Sequence, residues 1–240
     1  MARFRLVRSP QENMLAVLDA LDGEPVTIRE LARRTGMSLA SVHRIVVRLI
    51  EWGGLERVHG GVRPGLRLFE LGQLVPSAMR ETALPFMADL YEVTREVVSL
   101  AVLDGVDTVW IEQLSGRLAP PVPSRVGGRL PAHVTAAGKV LLAFGPDIVD
   151  MLALERHGPG TITDPAALRA ELAAVRERGI AINREESRAG VLGVAAPVWR
   201  DGAVVAALAL AVARRSRSSP ETMAPAVRTA ALSLGRALSR

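Results

Sequence analysis

Ser41, Arg44 and Arg48 stand at i, i+3 and i+7, so on a helix the three polar side chains share one face, while Val42, Ile45 and Leu49 lie on another. The chemistry open to such a face is recognition of a polyanion. A guanidinium grips a phosphate or makes a bidentate contact to guanine O6 and N7, and a serine hydroxyl gives or takes a hydrogen bond at a base edge or a phosphate. In an arginine-rich chain a merely solvated helix face would show the same spacing, so the flanking residues have to be weighed. Arg29 upstream and Arg63 further on are placed to touch a nucleic-acid backbone, and Ser38, three residues before Ser41, and His43, beside Arg44, count with them as DNA-binding candidates.

The helix carrying those arginines needs a start and a stop, and both are written in the chain. Ser38 caps it and Trp52-Gly53-Gly54 ends it near Glu51. Before it, Thr27 and Glu30 have the spacing of a capping box, opening a short helix through Leu31 and Ala32 that Gly36 breaks. A first helix covers residues 11–21. After the arginine helix, the strand-like runs 55–58 and 62–66 flank His59-Gly60-Gly61, a hairpin signal. Three helices and a Gly-rich hairpin in this order predict a winged helix-turn-helix over residues 1–65, with its third helix in a major groove.

Residues 66–80 are helical in pattern, and Pro76 must end or kink them, which suggests a linker helix. Pro85 permits a fresh helix start at Phe86. Residues 81–240 alternate strand-like runs at 97–103, 108–114, 180–183, 191–198 and 204–213 with helices at 135–144, 165–178 and from Ser219 onward. Residues 119–130 are rich in Pro and Gly and read as loop. The fold class expected is α+β: a winged helix-turn-helix, a linker helix and an α/β domain.

Composition limits the alternatives. The 240 residues suffice for two compact units, and 49% hydrophobic with 23% charged residues is ordinary globular usage. The absence of cysteine excludes disulfides, thiolate nucleophiles and cysteine-ligated zinc. Four histidines, His43, His59, His133 and His157, make no metal motif. Basic residues outnumber acidic ones 30 to 25, and only Lys139 among them is lysine. The start of the chain has no apolar signal segment, and the longest apolar run, residues 203–213, is about half of the ~20 residues that a membrane span requires. A cytoplasmic protein without membrane attachment is expected. No Gly-x-Ser-x-Gly elbow, His-Glu-x-x-His or phosphate-binding Gly-rich loop is present, so no catalytic residue and no cofactor is assigned. An enzyme using His133, Lys139, Glu185 and Glu186 and an architectural DNA binder without a ligand remain as competing classes. The pair Glu185-Glu186 has the look of a solvated turn.

Residues 26–32 (Val-Thr-Ile-Arg-Glu-Leu-Ala), the run Ser41-Val42-His43-Arg44, and the stretch 54–72 with Gly60-Gly61, Arg67-Leu68 and Glu70-Leu71-Gly72 resemble the DNA-binding domain of the IclR family of bacterial transcription regulators. Residues 130–139 (Leu-Pro-Ala-His-Val-Thr-Ala-Ala-Gly-Lys) and residues 179–199, with Glu185-Glu186, Gly190 and Ala195-Ala196-Pro197-Val198, are similar to the two signatures of that family's C-terminal half. The resemblance implies a GAF-like effector domain, homodimers that often pair into tetramers, binding to a palindromic double-stranded operator, and a small-molecule effector. Thr135 can cap a helix whose first turn, Ala136-Ala137-Gly138, leaves backbone N–H groups open to a carboxylate at the positive helix end. Small residues there equally serve close packing, with His133 and Lys139 structural. In family members that sense small acids, an aspartate, a cysteine and two serines line the cavity. By alignment these fall on Asn183, Gly193, Ala209 and Ala211. The expected effector is therefore larger or more apolar than a short keto acid, aromatic or lactone-like.

Overall fold

The computed structural model describes residues 9–74, 78–116, 122–216 and 218–239. The chain divides into two compact units, Met1–Ser77 and Ala78–Arg240.

In the first unit, α1 (Pro10–Asp19) starts from Ser9, whose hydroxyl accepts from the Glu12 N–H while the Glu12 carboxylate accepts from the Ser9 N–H. The helix α2 (Ile28–Thr35) is capped by the Thr27 hydroxyl and stopped by Gly36 at φ +71°, a left-handed conformation that glycine adopts without penalty. The expected capping box at Thr27 is only half formed. The Glu30 carboxylate turns away from the cap to Arg33 and Arg34, whose hydrogen bonds and charges hold its pKa down at about 2. Next, α3 (Leu39–Glu51) is capped by Ser38. The strands β1 (Leu55–Val58) and β2 (Gly61–Pro64) make a hairpin turning at His59-Gly60. Val26, just before α2, exchanges both backbone hydrogen bonds with Val62, so the wing is tied to the helical body. Gly61 permits that approach: at φ +149°, a Cβ there would stand 2.2 Å from the Val26 carbonyl oxygen. Val17, Leu31, Val42, Val46, Leu49, Leu55 and Val62 form one core.

The helix α4 (Leu66–Gln73) follows, and none of its residues is buried. Pro76, expected to end or kink a helix over 66–80, lies outside the described residues.

The second unit opens with α5 (Ala78–Thr94), which passes through Pro85 instead of restarting after it. Pro85 is exposed, and Ala83, Met87 and Leu90 are buried against the sheet. That burial outweighs the roughly 3 kcal/mol that an internal proline costs a helix.

The sheet has six antiparallel strands. They are β3 (Val97–Asp104), β4 (Asp107–Leu114), β5 (Arg129–Pro131), β6 (Ala181–Arg184), β7 (Val191–Arg200) and β8 (Ala203–Ala213), in the order β5-β4-β3-β8-β7-β6. Its remaining helices are α6 (Ala136–Phe144), α7 (Pro165–Arg178) and α8 (Pro220–Leu238). α5 and α8 cover the face bearing Val98, Leu100, Val194, Leu208 and Leu210. α6 and α7 cover the other, which carries Ala101, Ala195 and Ala207. Eight of the nine residues of α6 are buried, because the sheet and α7 enclose it from two sides. The short edge strand β5 falls at the end of the segment expected to be loop. It adds three residues to β4 through Thr108 and its neighbours, a pairing that Pro131 and the flanking glycines concealed.

Candidate functional sites: a polyanion-facing helix and an apolar cavity

On α3, the core side consists of Val42, Val46 and Leu49, and His43, Arg44 and Arg48 are exposed. Among the described residues, no hydrogen bond or ion pair engages the side chains of Arg29, His43, Arg44 or Arg48. These four cationic or potentially cationic groups thus stand uncompensated among the described residues of this unit. Arg44 and Arg48 border a shallow cleft with Pro10, Met14 and Ile45 without being covered by it.

The serines behave differently. Ser41 is half-buried, its N–H donates to Ser38 Oγ, and the two hydroxyls lie 2.9 Å apart, so the pair is engaged in capping. Arg63 also departs from expectation: its Nε sits 2.5 Å from Glu56 Oε1 across the hairpin, which neutralises its charge locally. Arg57 and His59, exposed on the same hairpin, have no such partner among the described residues. Sequence reasoning passed over Arg57. Leu39, at the first helical position of α3, is 52% exposed. Strand alternation gave no signal for Arg57, since it pairs with buried Val62 on the face of Leu55, and its exposure comes from the end of the short hairpin.

The second site is a cavity on the α6 face of the sheet. Its floor is made of small residues on three adjacent strands: Ser99 of β3, Ala209 and Ala211 of β8, and Gly193 of β7. Ala136 and Ala137, the first turn of α6, close one end, and Trp110 and Leu130 form an apolar wall. The cavity proper is about 50 Å³, and about 460 Å³ of empty space surrounds these residues when the open solvent at its mouth is counted. No charged side chain lines it among the described residues. The first-turn amides of α6 have no intrahelical partner, so the positive pole there is the helix end itself.

Of the residues expected at this site, Ala136, Ala137, Asn183, Gly193, Ala209 and Ala211 line the cavity. Gly138 does not. Its N–H donates to Thr135 Oγ1 at 2.8 Å, and a Cβ on it would meet the Ala132 carbonyl oxygen at 2.1 Å and Thr108 Oγ1 at 2.4 Å. It permits close packing and offers no amide to a ligand. Asn183 lines the wall, but its amide is already spent: Nδ2 donates to the Val134 carbonyl at 2.6 Å, and Oδ1 accepts from the Glu186 N–H at 3.1 Å. It pins the turn before α6 to β6. Ser99, Trp110, Ser124 and Ser187, which also line the cavity, were missed. Ser99 carried the visible signal, as a lone hydroxyl in an otherwise apolar strand interior.

Lys139, His133 and Glu186 lie inside the unit, away from the cavity. Lys139 is 1% exposed, and its Nζ donates to the Ile182 carbonyl at 2.7 Å, Glu186 Oε1 at 2.8 Å and Glu171 Oε1 at 3.1 Å. All three of its protons are used. Glu186 is buried, not solvated as its sequence context suggested, because the turn at Glu185 (φ +59°) folds it inward under Asn183. Burial pushes its carboxyl up, and the Lys139 ammonium draws it back. Burial also lowers the pKa of His133, whose Nε2 lies 3.1 Å from the Glu155 carbonyl oxygen. Among the described residues there is no cluster of three or more potential metal ligands, and no helix is long and apolar enough to cross a membrane.

Two family models match the chain: the IclR helix-turn-helix domain over residues 12–59 and the bacterial transcriptional regulator IclR C-terminal domain over residues 73–236. The HTH-type transcriptional regulator XynR of Escherichia coli is 33% identical over 211 residues, spanning 83% of this chain and 84% of that protein. The p-hydroxybenzoate hydroxylase transcriptional activator of Acinetobacter baylyi is 29% identical over 214 residues, spanning 81% and 77%. Among solved structures, an IclR homolog from Microbacterium hydrocarbonoxydans complexed with 4-hydroxybenzoate aligns with a TM-score of 0.85 and 33% identity, over 96% of this chain and 99% of that one. The Thermotoga maritima IclR structure aligns with a TM-score of 0.76 and 28% identity, over 96% and 98%.

Proposed function

Since the chain belongs to the IclR family of bacterial transcription regulators, with a helix-turn-helix DNA-binding domain followed by an effector domain, we propose that its operator affinity is set by an apolar, carboxylate-bearing ligand in the α6 cavity. The observation that carries this reading is the pairing of an uncharged, small-residue floor with the open amides of Ala136 and Ala137. A carboxylate finds donors and a positive helix end there, and the rest of the ligand meets Trp110, Leu130 and alanine methyl groups. A short keto acid would leave that apolar surface unfilled. An aromatic acid would cover it, and a relative of the same fold is known with 4-hydroxybenzoate.

The DNA contact in this reading is made by α3. Arg44 and Arg48 supply phosphate or guanine contacts, with His43 beside them, Arg29 and Arg57 on the backbone, and Ser38 and Ser41 holding the helix start. Two such helices on a two-fold axis call for a roughly palindromic operator with half-sites about one turn, ~34 Å, or a multiple of it apart. Leu66 and Phe69 on α4 and Leu74 just after it are exposed apolar side chains, a set that supports a dimer. The ligand acts through a difference in its affinity for the DNA-competent and DNA-incompetent states, since nothing else can shift that equilibrium.

The test is a gel-shift titration of the full chain on DNA from its own promoter, with and without benzoate or 4-hydroxybenzoate. A footprint of two half-sites whose occupancy changes with the acid is expected. Occupancy indifferent to every carboxylate would favour the ligand-independent binder instead.

A further inference from the structure

Ser99 is 4% exposed in the middle of β3, between Val98 and Leu100, which are fully buried. Other buried polar side chains of this unit are engaged: Thr108 with Thr135, Asn183 with Val134 and Glu186, Lys139 with three acceptors, Thr161 with the Glu186 carbonyl. The Ser99 hydroxyl has no hydrogen-bond partner among the described residues. It is not sealed in either. The described side-chain atoms shut off from all solvent without a partner are His133 Nδ1 and Glu186 Oε2, whereas Ser99 borders the cavity and its hydroxyl opens into it. In an otherwise alanine-rich floor this hydroxyl serves no packing role, and its opening into the cavity leaves it free to bond to whatever fills the space.

Its place relative to α6 follows from strand register. Gly193 marks the point of the floor beneath Ala136, since a Cβ built on it would lie 3.9 Å from the Ala136 Cβ. Gly193 pairs with Ala211, which pairs with Val97. Ala209, two residues from Ala211, pairs with Ser99. Ser99 is therefore two strands across and two residues along from that point, about 12 Å by ordinary sheet spacings. This span is of the order of one benzene ring with substituents at opposite ends and a hydrogen bond of about 2.8 Å at each.

We propose that Ser99 is a specificity-determining residue that hydrogen-bonds a polar substituent at the end of the effector opposite the carboxylate. The ligand class this selects is a rigid, elongated acid with polar groups at both ends, such as a para-substituted benzoate. The inference rests on the carboxylate seat at α6 and adds a second anchor to it. A hydrogen-bonding site rejects the analogue lacking its group more strongly than an apolar wall rejects a small change in size.

Calorimetry on the full chain with 4-hydroxybenzoate and benzoate separates the two readings. The native protein is expected to bind 4-hydroxybenzoate about tenfold tighter than benzoate, and Ser99→Ala to lose about tenfold for the first while keeping its affinity for the second. Unchanged benzoate binding shows that the variant is folded, and Ser99→Thr, which keeps a hydroxyl, should retain the preference. Benzoate binding with no gain from the para hydroxyl, or equal loss for both acids in Ser99→Ala, overturns the Ser99 assignment alone. Failure of both acids to bind the native protein overturns the carboxylate seat and Ser99 with it.

Discussion

The Lys139 ammonium lies 2.8 Å from the Glu186 carboxylate with both side chains almost wholly removed from water, at 1% and 6% exposure. This contact joins α6, whose first turn closes the cavity, to the segment after β6, and Asn183 of β6 and Ser187 of that segment line the cavity wall. A buried ion pair contributes little over a well-packed apolar pair, yet removing one partner strands the other charge in a low dielectric, at a cost of about 3–5 kcal/mol.

Lys139→Met should therefore destabilise the second unit by about that much at neutral pH, with a pH signature of its own. Glu186 already titrates above its ordinary range because it is buried. The native state thus holds that proton more tightly than the unfolded chain, and the term lowers stability as pH rises from about 4.3 through the native value. Without Lys139 the native value climbs further. Urea unfolding at pH 5 and pH 8 should show the gap between variant and parent widening at the higher pH, and an equal gap at both would remove Glu186 from the explanation.

Arg44→Ala should weaken operator binding by about 1–3 kcal/mol if the guanidinium reads a base, with relaxed discrimination at one position. Arg48→Ala, if it holds a phosphate, should weaken binding to all sequences and reduce the salt slope by about one. Neither variant should alter thermal stability, because both side chains are exposed and unpaired. Fluorescence anisotropy at several salt concentrations decides between the roles, and unchanged affinity would take the residue off the interface.

Gly61→Ala should damage DNA binding from a distance. Its φ of +149° and the 2.2 Å approach of a Cβ to the Val26 carbonyl force either the hairpin or the segment before α2 to move. Loss of about 1–3 kcal/mol of stability is expected in the first unit, with weaker operator binding. An alanine variant melting like the parent would show that the wing tolerates the shift.

Thermal-shift screening of acids provides a fourth check. Glyoxylate and pyruvate should raise the melting temperature little at concentrations where an aromatic acid raises it clearly, since stabilisation grows with concentration relative to Kd. Tight binding of either keto acid, with benzoate inert, would contradict the apolar reading of the cavity.

Much of the architecture was legible because its signals are local. Caps at Ser38 and Thr135, the stop at Gly36 and the His59-Gly60-Gly61 turn each act within four residues. The spacing of apolar residues fixed which side of α3 faces the core, whereas Gly193, Ala209 and Ala211 were named for the cavity only through the family resemblance. What stayed hidden depends on residues distant in the chain. Arg63 looked available until strand register set it opposite Glu56. Glu186 looked solvated until the turn at Glu185 carried it to Lys139, 47 positions away. Asn183 looked like a ligand contact until its amide was found bonded to Val134, 49 positions away.

The sequence by itself therefore determined the elements, their caps and the sides they bury, since backbone donors and apolar periodicity are settled between near neighbours. Only the tertiary structure decided which polar groups remain free: Arg44 and Arg48 on α3, and Ser99 in the cavity. The reason is that a hydrogen bond or an ion pair is spent or left open according to what the fold brings within about 3 Å of it.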